Sequence, residues 1–104
     1  MKDEKLKIIN HYGIRNQLKK LSEEVYEFQE AILMDDDSEE CLEHIIEEYA
    51  DIEVILDQFK EYYELDYSKI AQQKVFKIMR TLERIEKEWE VWNFQKYLQV
   101  NILR

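Results

Sequence analysis

From Ile14 onward, Leu18, Leu21, Val25, Phe28 and Ile32 follow at alternating steps of four and three, which puts all six on one face of an α-helix. The spacing predicts a helix from Ile14 to about Leu33 with that face buried. A shorter segment before it, about Asp3 to Tyr12, carries Leu6, Ile8 and Ile9 and stops at Gly13, the residue type that most readily ends a helix. Met34 to Ser38 is polar and breaks the period, and Asp37 with Glu40 three residues on reads as a capping box opening the next helix. From Glu39 to about Tyr63, Leu42, Ile45, Tyr49, Ile52, Leu56 and Phe59 restore the alternation, while Ile46, Ala50 and Val54 add a second apolar stripe. A helix with two stripes is expected at the centre of a bundle or at an interface. Asp66 is placed to cap a further helix from Tyr67 to about Lys87, with Ala71, Val75, Ile78, Leu82 and Ile85 as its buried side and Gln73, Lys77, Arg80 and Arg84 opposite.

The remaining segment, Glu88 to Arg104, is crowded with Trp89, Val91, Trp92, Phe94, Tyr97, Leu98, Val100, Ile102 and Leu103. A chain this short cannot cover them all, so tail and central helix are expected to share a contact between copies. The pattern therefore predicts an all-α fold: a helical bundle of about four to five helices, one domain over residues 1–104, assembled as a homo-oligomer, dimer or tetramer.

Composition narrows the chemistry. One glycine and no proline among 104 residues leave almost no turn-forming residues, which excludes glycine-lined phosphate loops and dinucleotide folds. No apolar run approaches a bilayer span, and the amino-terminal segment, acids among its lysines, has no secretory signal pattern, so no membrane is expected and a cytoplasmic location is. A single cysteine, Cys41, fits a reducing compartment and is expected as a small buried apolar residue. The net charge of −9 argues against nucleic acid as a partner. That charge is segregated: residues 1–66 hold 20 acids and 7 bases, residues 67–104 hold 4 acids and 8 bases. Helix faces of opposite sign that attract on folding would account for this, and so would an anionic ligand held between acid-bound cations and a basic face.

The place of the carboxylates beside the apolar seams bears on the second account. Glu24 and Glu27 lie one turn apart at the margin of the seam formed by Leu18, Leu21, Val25 and Phe28. Glu48 and Asp51 are likewise three apart, beside Ile45, Ile52 and Ile55 on the following helix. If the two helices pack antiparallel, four carboxylates converge, and divalent cations neutralise such a cluster most simply; hard oxygen donors select magnesium or manganese. In a chain with 24 acids such pairs can equally be solvated helix faces. A di-iron bundle needs Glu-x-x-His twice, but Ile8 and Cys41 precede His11 and His44 at that spacing. An EF-hand fails because Glu40 stands where its loop needs glycine and Ile46 where it needs the closing glutamate. His11 and His44 read as surface or boundary residues.

The pattern Glu23-Glu24-x-x-Glu27 followed by Glu47-Glu48-x-x-Asp51 resembles the signature of the MazG-like nucleotide pyrophosphohydrolases of the all-α NTP pyrophosphatase superfamily. Asn16-Gln17-Leu18-x-Lys20-Leu21 before the first pair, Ala50 and Ile52 around the second, and Lys77-x-x-Arg80-x-x-x-Arg84-Ile85 later extend the resemblance over residues 11–86. The resemblance implies a Mg²⁺-dependent (or Mn²⁺-dependent) hydrolase that binds metal through Glu24, Glu27, Glu48 and Asp51 and cleaves a nucleoside triphosphate to monophosphate and pyrophosphate. Glu24 or Glu27 would take the proton from the attacking water. Lys77 and Arg80 would grip phosphate, with Lys74 and Arg84 as further candidates, and Gln17, Asn16 and Lys20 would contact substrate. Two other readings remain: a noncatalytic acidic helical module whose apolar tail docks a partner protein, and a nucleotide-binding sensor of the same fold.

Overall fold

A computed structural model describes residues 1–102, with side chains to residue 100; Leu103, Arg104 and the side chain of Ile102 lie outside the described residues. The fold is all-α. The described residues form four helices: α1 (Lys2–Tyr12), α2 (Ile14–Leu33), α3 (Glu39–Tyr62) and α4 (Tyr67–Ile102). The chain divides into two compact units, one of residues Met1–Leu65 and a second that begins at Asp66 and holds α4.

In the first unit the junctions are made by local chemistry. Gly13 adopts φ 86°, ψ 155°, a conformation that L side chains avoid, and its N–H donates to the Ile9 carbonyl at 2.8 Å to close α1. The Asn16 amide donates to the Tyr12 carbonyl at 2.7 Å, covering a second orphan acceptor of that helix end. The α2–α3 turn is an acidic coil in which Asp35 and Asp36 side chains accept from the Asp37 and Ser38 N–H groups. The cap of α3 is Ser38, whose hydroxyl accepts from Cys41 N–H at 3.1 Å, and not Asp37 as the capping-box pattern suggests. Asp37 instead turns the chain at φ 64°, which leaves the next residue in the extended conformation an N-cap requires. Cys41 is half-buried, its Sγ 3.6 Å from the Met34 carbonyl, so it braces the turn and does not fill the core as expected.

Helices α2 and α3 pack as an antiparallel hairpin and α1 lies against both, more closely on α3. Ile9, Ala31 and Ile55 are the buried apolar side chains, with Phe28 edge-on to Tyr49 across the hairpin at 5.9 Å. Three helices cover a narrower face than the seams predicted. Leu18 and Ile32 of the α2 seam are half-exposed, as are Leu42, Tyr49 and Leu56 on α3.

In the second unit, Asp66 caps α4 as its position suggested: its carboxylate accepts from the N–H of Ser68 at 2.8 Å and of Lys69 at 3.3 Å. The helix does not stop near Lys87 but continues to Ile102. Its expected buried side is exposed in the single chain, Val75, Ile78, Leu82 and Ile85 each by more than half. Trp89 and Trp92 stack on one another at 5.1 Å, with Lys96 Nζ 5.0 Å above the Trp92 ring. No helix among the described residues is long and apolar enough to cross a membrane.

Candidate functional site

The hairpin fixes which side chains of α2 and α3 meet. Because the helices run antiparallel, moving up one means moving down the other, and Glu24, Glu27 and Glu48 fall at one level. A carboxylate oxygen from each lies within 4.8 Å of the others. Glu24 is 4 % and Glu48 9 % exposed, while Glu27 closes the group from the solvent side. Asp51, one turn along α3, stands at the exposed rim next to Glu24.

Two inner oxygens, Oε2 of Glu24 and Oε2 of Glu48, are buried with no hydrogen-bond partner. Their outer oxygens are better provided: Lys20 Nζ meets Glu24 Oε1 at 2.9 Å, and His44 Nε2 is 3.9 Å from Glu48 Oε1. Buried, unpartnered carboxylate oxygens are costly, and crowding adds repulsion. The strain is visible in the neighbours. The Glu27 carboxyl is raised above its usual range by the charge of Glu24, then by partial loss of water and by Glu48. The Asp51 carboxyl is raised by partial desolvation and then by Glu24. Lys20 is shifted up by its hydrogen bond and charge contact with Glu24. A small, hard cation would relieve all of these effects together, and the donor set, three carboxylates with Asp51 beside Glu24 and no sulfur, suits magnesium or manganese.

Beside the carboxylates lies an open cleft of about 570 Å³ within the first unit. Ile8, Tyr12, Val54 and Ile55 give it apolar walls, and Gln17 and Gln58 a polar floor. Gln17 Nε2 donates to Gln58 Oε1 at 2.7 Å, a buried bond that crosses the hairpin. The structure thus brings together Gln17, Lys20, Glu24, Glu27, Glu48 and Asp51. Lys77 and Arg80 belong to α4 in the second unit, where they line a shallow depression with Gln73, Phe76, Met79 and Glu83. His11 and His44 are exposed, as expected.

Gln58 escaped the sequence reading because a glutamine late in a helix looks like surface. A signal was present: Gln17 stands seven residues before Glu24 and Gln58 seven after Asp51, mirrored spacings that an antiparallel pair aligns. No protein-family model matches the chain, nor does any curated protein or solved structure.

Proposed function

We propose that the protein is a magnesium-dependent nucleoside triphosphate pyrophosphohydrolase, releasing a nucleoside monophosphate and pyrophosphate. The observation that carries this reading is the pair of buried, unpartnered oxygens of Glu24 and Glu48 facing Glu27. Such a cluster is unfavourable in isolation and becomes favourable around a cation that a polyphosphate also ligates.

Glu24, Glu27, Glu48 and Asp51 would hold the cation, whose chemistry is to neutralise charge on the nonbridging phosphate oxygens. The protein's own groups do the rest. Water attacks the α-phosphorus, the bond to the α–β bridging oxygen breaks, and pyrophosphate leaves with that oxygen. Glu27 suits the role of proton acceptor: it is the exposed member of the trio, and Glu24 and Glu48 raise its affinity for a proton. Glu24 is less suited, since one oxygen is engaged by Lys20. Lys20 holds that carboxylate in place and lies at the cleft wall, where it can turn to phosphate. Lys77 and Arg80, which the resemblance offers as phosphate contacts, lie on α4 in the second unit and take no part in these steps.

The active form is a homo-oligomer. Trp89, Val91, Trp92, Phe94 and Tyr97 place bulky apolar surface all around the carboxyl-terminal half of α4, which contact with a second copy would cover. The test of function is incubation with ribo- and deoxyribonucleoside triphosphates, with magnesium or with chelator, and identification of products. Magnesium-dependent release of monophosphate and pyrophosphate supports the reading; release of inorganic phosphate, or no turnover, defeats it. Magnesium-dependent nucleotide binding by calorimetry without turnover would point to the sensor instead.

A further inference from the structure

Among the described residues the most deeply buried polar side chain is Gln58, 2 % exposed, and its partner Gln17 is 6 % exposed. Packing alone does not call for amides here. Ile9 and Ile55 build the adjoining core, and an apolar pair at these positions would fill the same space without desolvating two amides. The amides do not lie in a sealed core either, for both line the open cleft. A primary amide offers two donor hydrogens and two acceptor lone pairs, and the bond between the two residues uses one donor and one lone pair. The pair therefore presents donor and acceptor capacity side by side, between the apolar walls of Ile8, Tyr12, Val54 and Ile55. A flat heterocycle with donor and acceptor atoms along one edge complements that arrangement, its faces against the walls and its edge on the amides.

Distance agrees with this. On each helix the glutamine is seven residues from a carboxylate, Gln17 from Glu24 and Gln58 from Asp51. At 1.5 Å per residue that is about 10 Å along the hairpin, about the span of a nucleoside from its 5′-phosphate to the far edge of its base.

We infer that Gln17 and Gln58 read the nucleobase of the substrate, with Gln58 fixing the orientation of the Gln17 amide and so setting base preference. The phosphate end of this placement rests on the pyrophosphohydrolase reading; the base pocket is a binding claim that stands separately. Gln58→Leu removes the acceptor for Gln17. In hydrolysis assays across the four bases, the ratio of best to worst kcat/KM is expected to fall at least tenfold, the loss carried in KM. The double variant Gln17→Leu with Gln58→Leu restores an apolar contact. It is expected to recover thermal stability but not base preference, whereas a purely structural pair would recover both. If all bases lose activity in equal proportion in Gln58→Leu, or if the preference is unmoved, the inference is overturned. Should the wild-type protein hydrolyse no triphosphate, titration with free nucleosides followed by NMR decides the matter alone. Nucleoside-induced shifts at α2 and α3 that vanish in Gln58→Leu would sustain the base pocket without the enzyme, and absence of shifts in the wild type would overturn it.

Discussion

In the first unit the side chains most withdrawn from water include two carboxylates and two amides, Glu24, Glu48, Gln17 and Gln58. In the second, Val75, Ile78, Leu82, Trp89, Trp92 and Phe94 stand about half exposed or more. Each unit inverts the usual distribution of polar and apolar groups, and in opposite senses. Buried carboxylate oxygens without partners are costly, which supports the proposal that the first unit takes a ligand that brings positive charge. Exposed apolar surface along a helix favours contact with further protein, which supports the proposal that the second unit joins chains. On these two proposals the roles separate: the small-molecule site is assigned to α1, α2 and α3, and association to α4.

The sharpest break of this comparison is at Glu48. Glu48→Gln keeps the shape and removes the charge. Hydrolysis is expected to fall by roughly 10³-fold or more, about 4 kcal/mol of transition-state stabilisation. The metal-free variant should nevertheless be more stable than wild type, because a buried charge facing two others is gone. Magnesium should then raise the melting temperature of wild type, by an amount equivalent to about 2.7 kcal/mol at a hundredfold excess over Kd, and leave the variant nearly unmoved. A variant that loses stability in chelator, or keeps its activity, would show Glu48 to be an ordinary structural residue.

The second unit is tested by charge placed where apolar contact is expected. Trp89→Glu with Trp92→Glu should dissociate the oligomer to monomers in light scattering, since each carboxylate would be desolvated in the interface. Helix content by circular dichroism should hold, glutamate being a good helix former. An unchanged mass would remove α4 from the interface.

A third test uses pH, where the first unit should behave against the common trend. Glu27 and Asp51 bind protons more tightly in the folded chain than at their ordinary values of 4.5 and 3.8. A raised carboxyl contributes stability that is complete below its unfolded value and is lost as pH rises through the folded one. In chelator, stability should therefore rise as pH falls toward about 4.5, and saturating magnesium should abolish or reverse the slope. Further acidification works the other way through Asp36, lowered to about 2 by hydrogen bonds from Ser38 and Cys41, whose contribution is lost as pH falls from 3.8 toward that value. Melting temperatures measured from pH 7 to pH 3 give the sign directly; a chelated protein that only loses stability on acidification would argue that the cluster is well solvated.

Much of the fold is legible in the sequence. Steps of three and four delimited α1, α2 and α3 to within a residue or so, because amphipathic period and caps are local properties. Spacing on antiparallel helices predicts that four carboxylates converge; Glu24, Glu27 and Glu48 do so within 4.8 Å, and Asp51 stands beside Glu24 outside that group. What the pattern missed depends on how far each helix is covered. Leu18 and Ile32 belong to the same stripe as Ile14, Leu21, Val25 and Phe28, yet a three-helix unit covers a narrower face than that stripe and leaves these two about half exposed. The pairing of Gln17 with Gln58 depends on the register of the hairpin across 41 residues of sequence, which periodicity within one helix cannot report.

The smallest expected effect lies at the end of the first unit. Glu64 follows the C-cap of α3 at φ 51°, with its N–H donating to the Glu61 carbonyl at 3.3 Å and Leu65 N–H to the Lys60 carbonyl at 3.0 Å. This is the Schellman arrangement, in which glycine is the usual occupant of the left-handed position. A chain with a single glycine, already used at Gly13, carries a glutamate there instead. The left-handed conformation costs an L residue about 1–2 kcal/mol, and glycine gives back about 0.4–1 kcal/mol through the freedom it adds to the unfolded chain. Glu64→Gly should thus stabilise the first unit by a net of about 0.5–1 kcal/mol, seen as a higher urea midpoint with an unchanged slope. Asp37, at φ 64°, is the internal control, since aspartate tolerates this region better and Asp37→Gly should gain less. Equal gains at both sites would mean that residue type makes no difference there. A loss at Glu64 would mean that its side chain makes a contact worth more than the strain, and would mark the α3 end as part of the working surface and not merely its terminus.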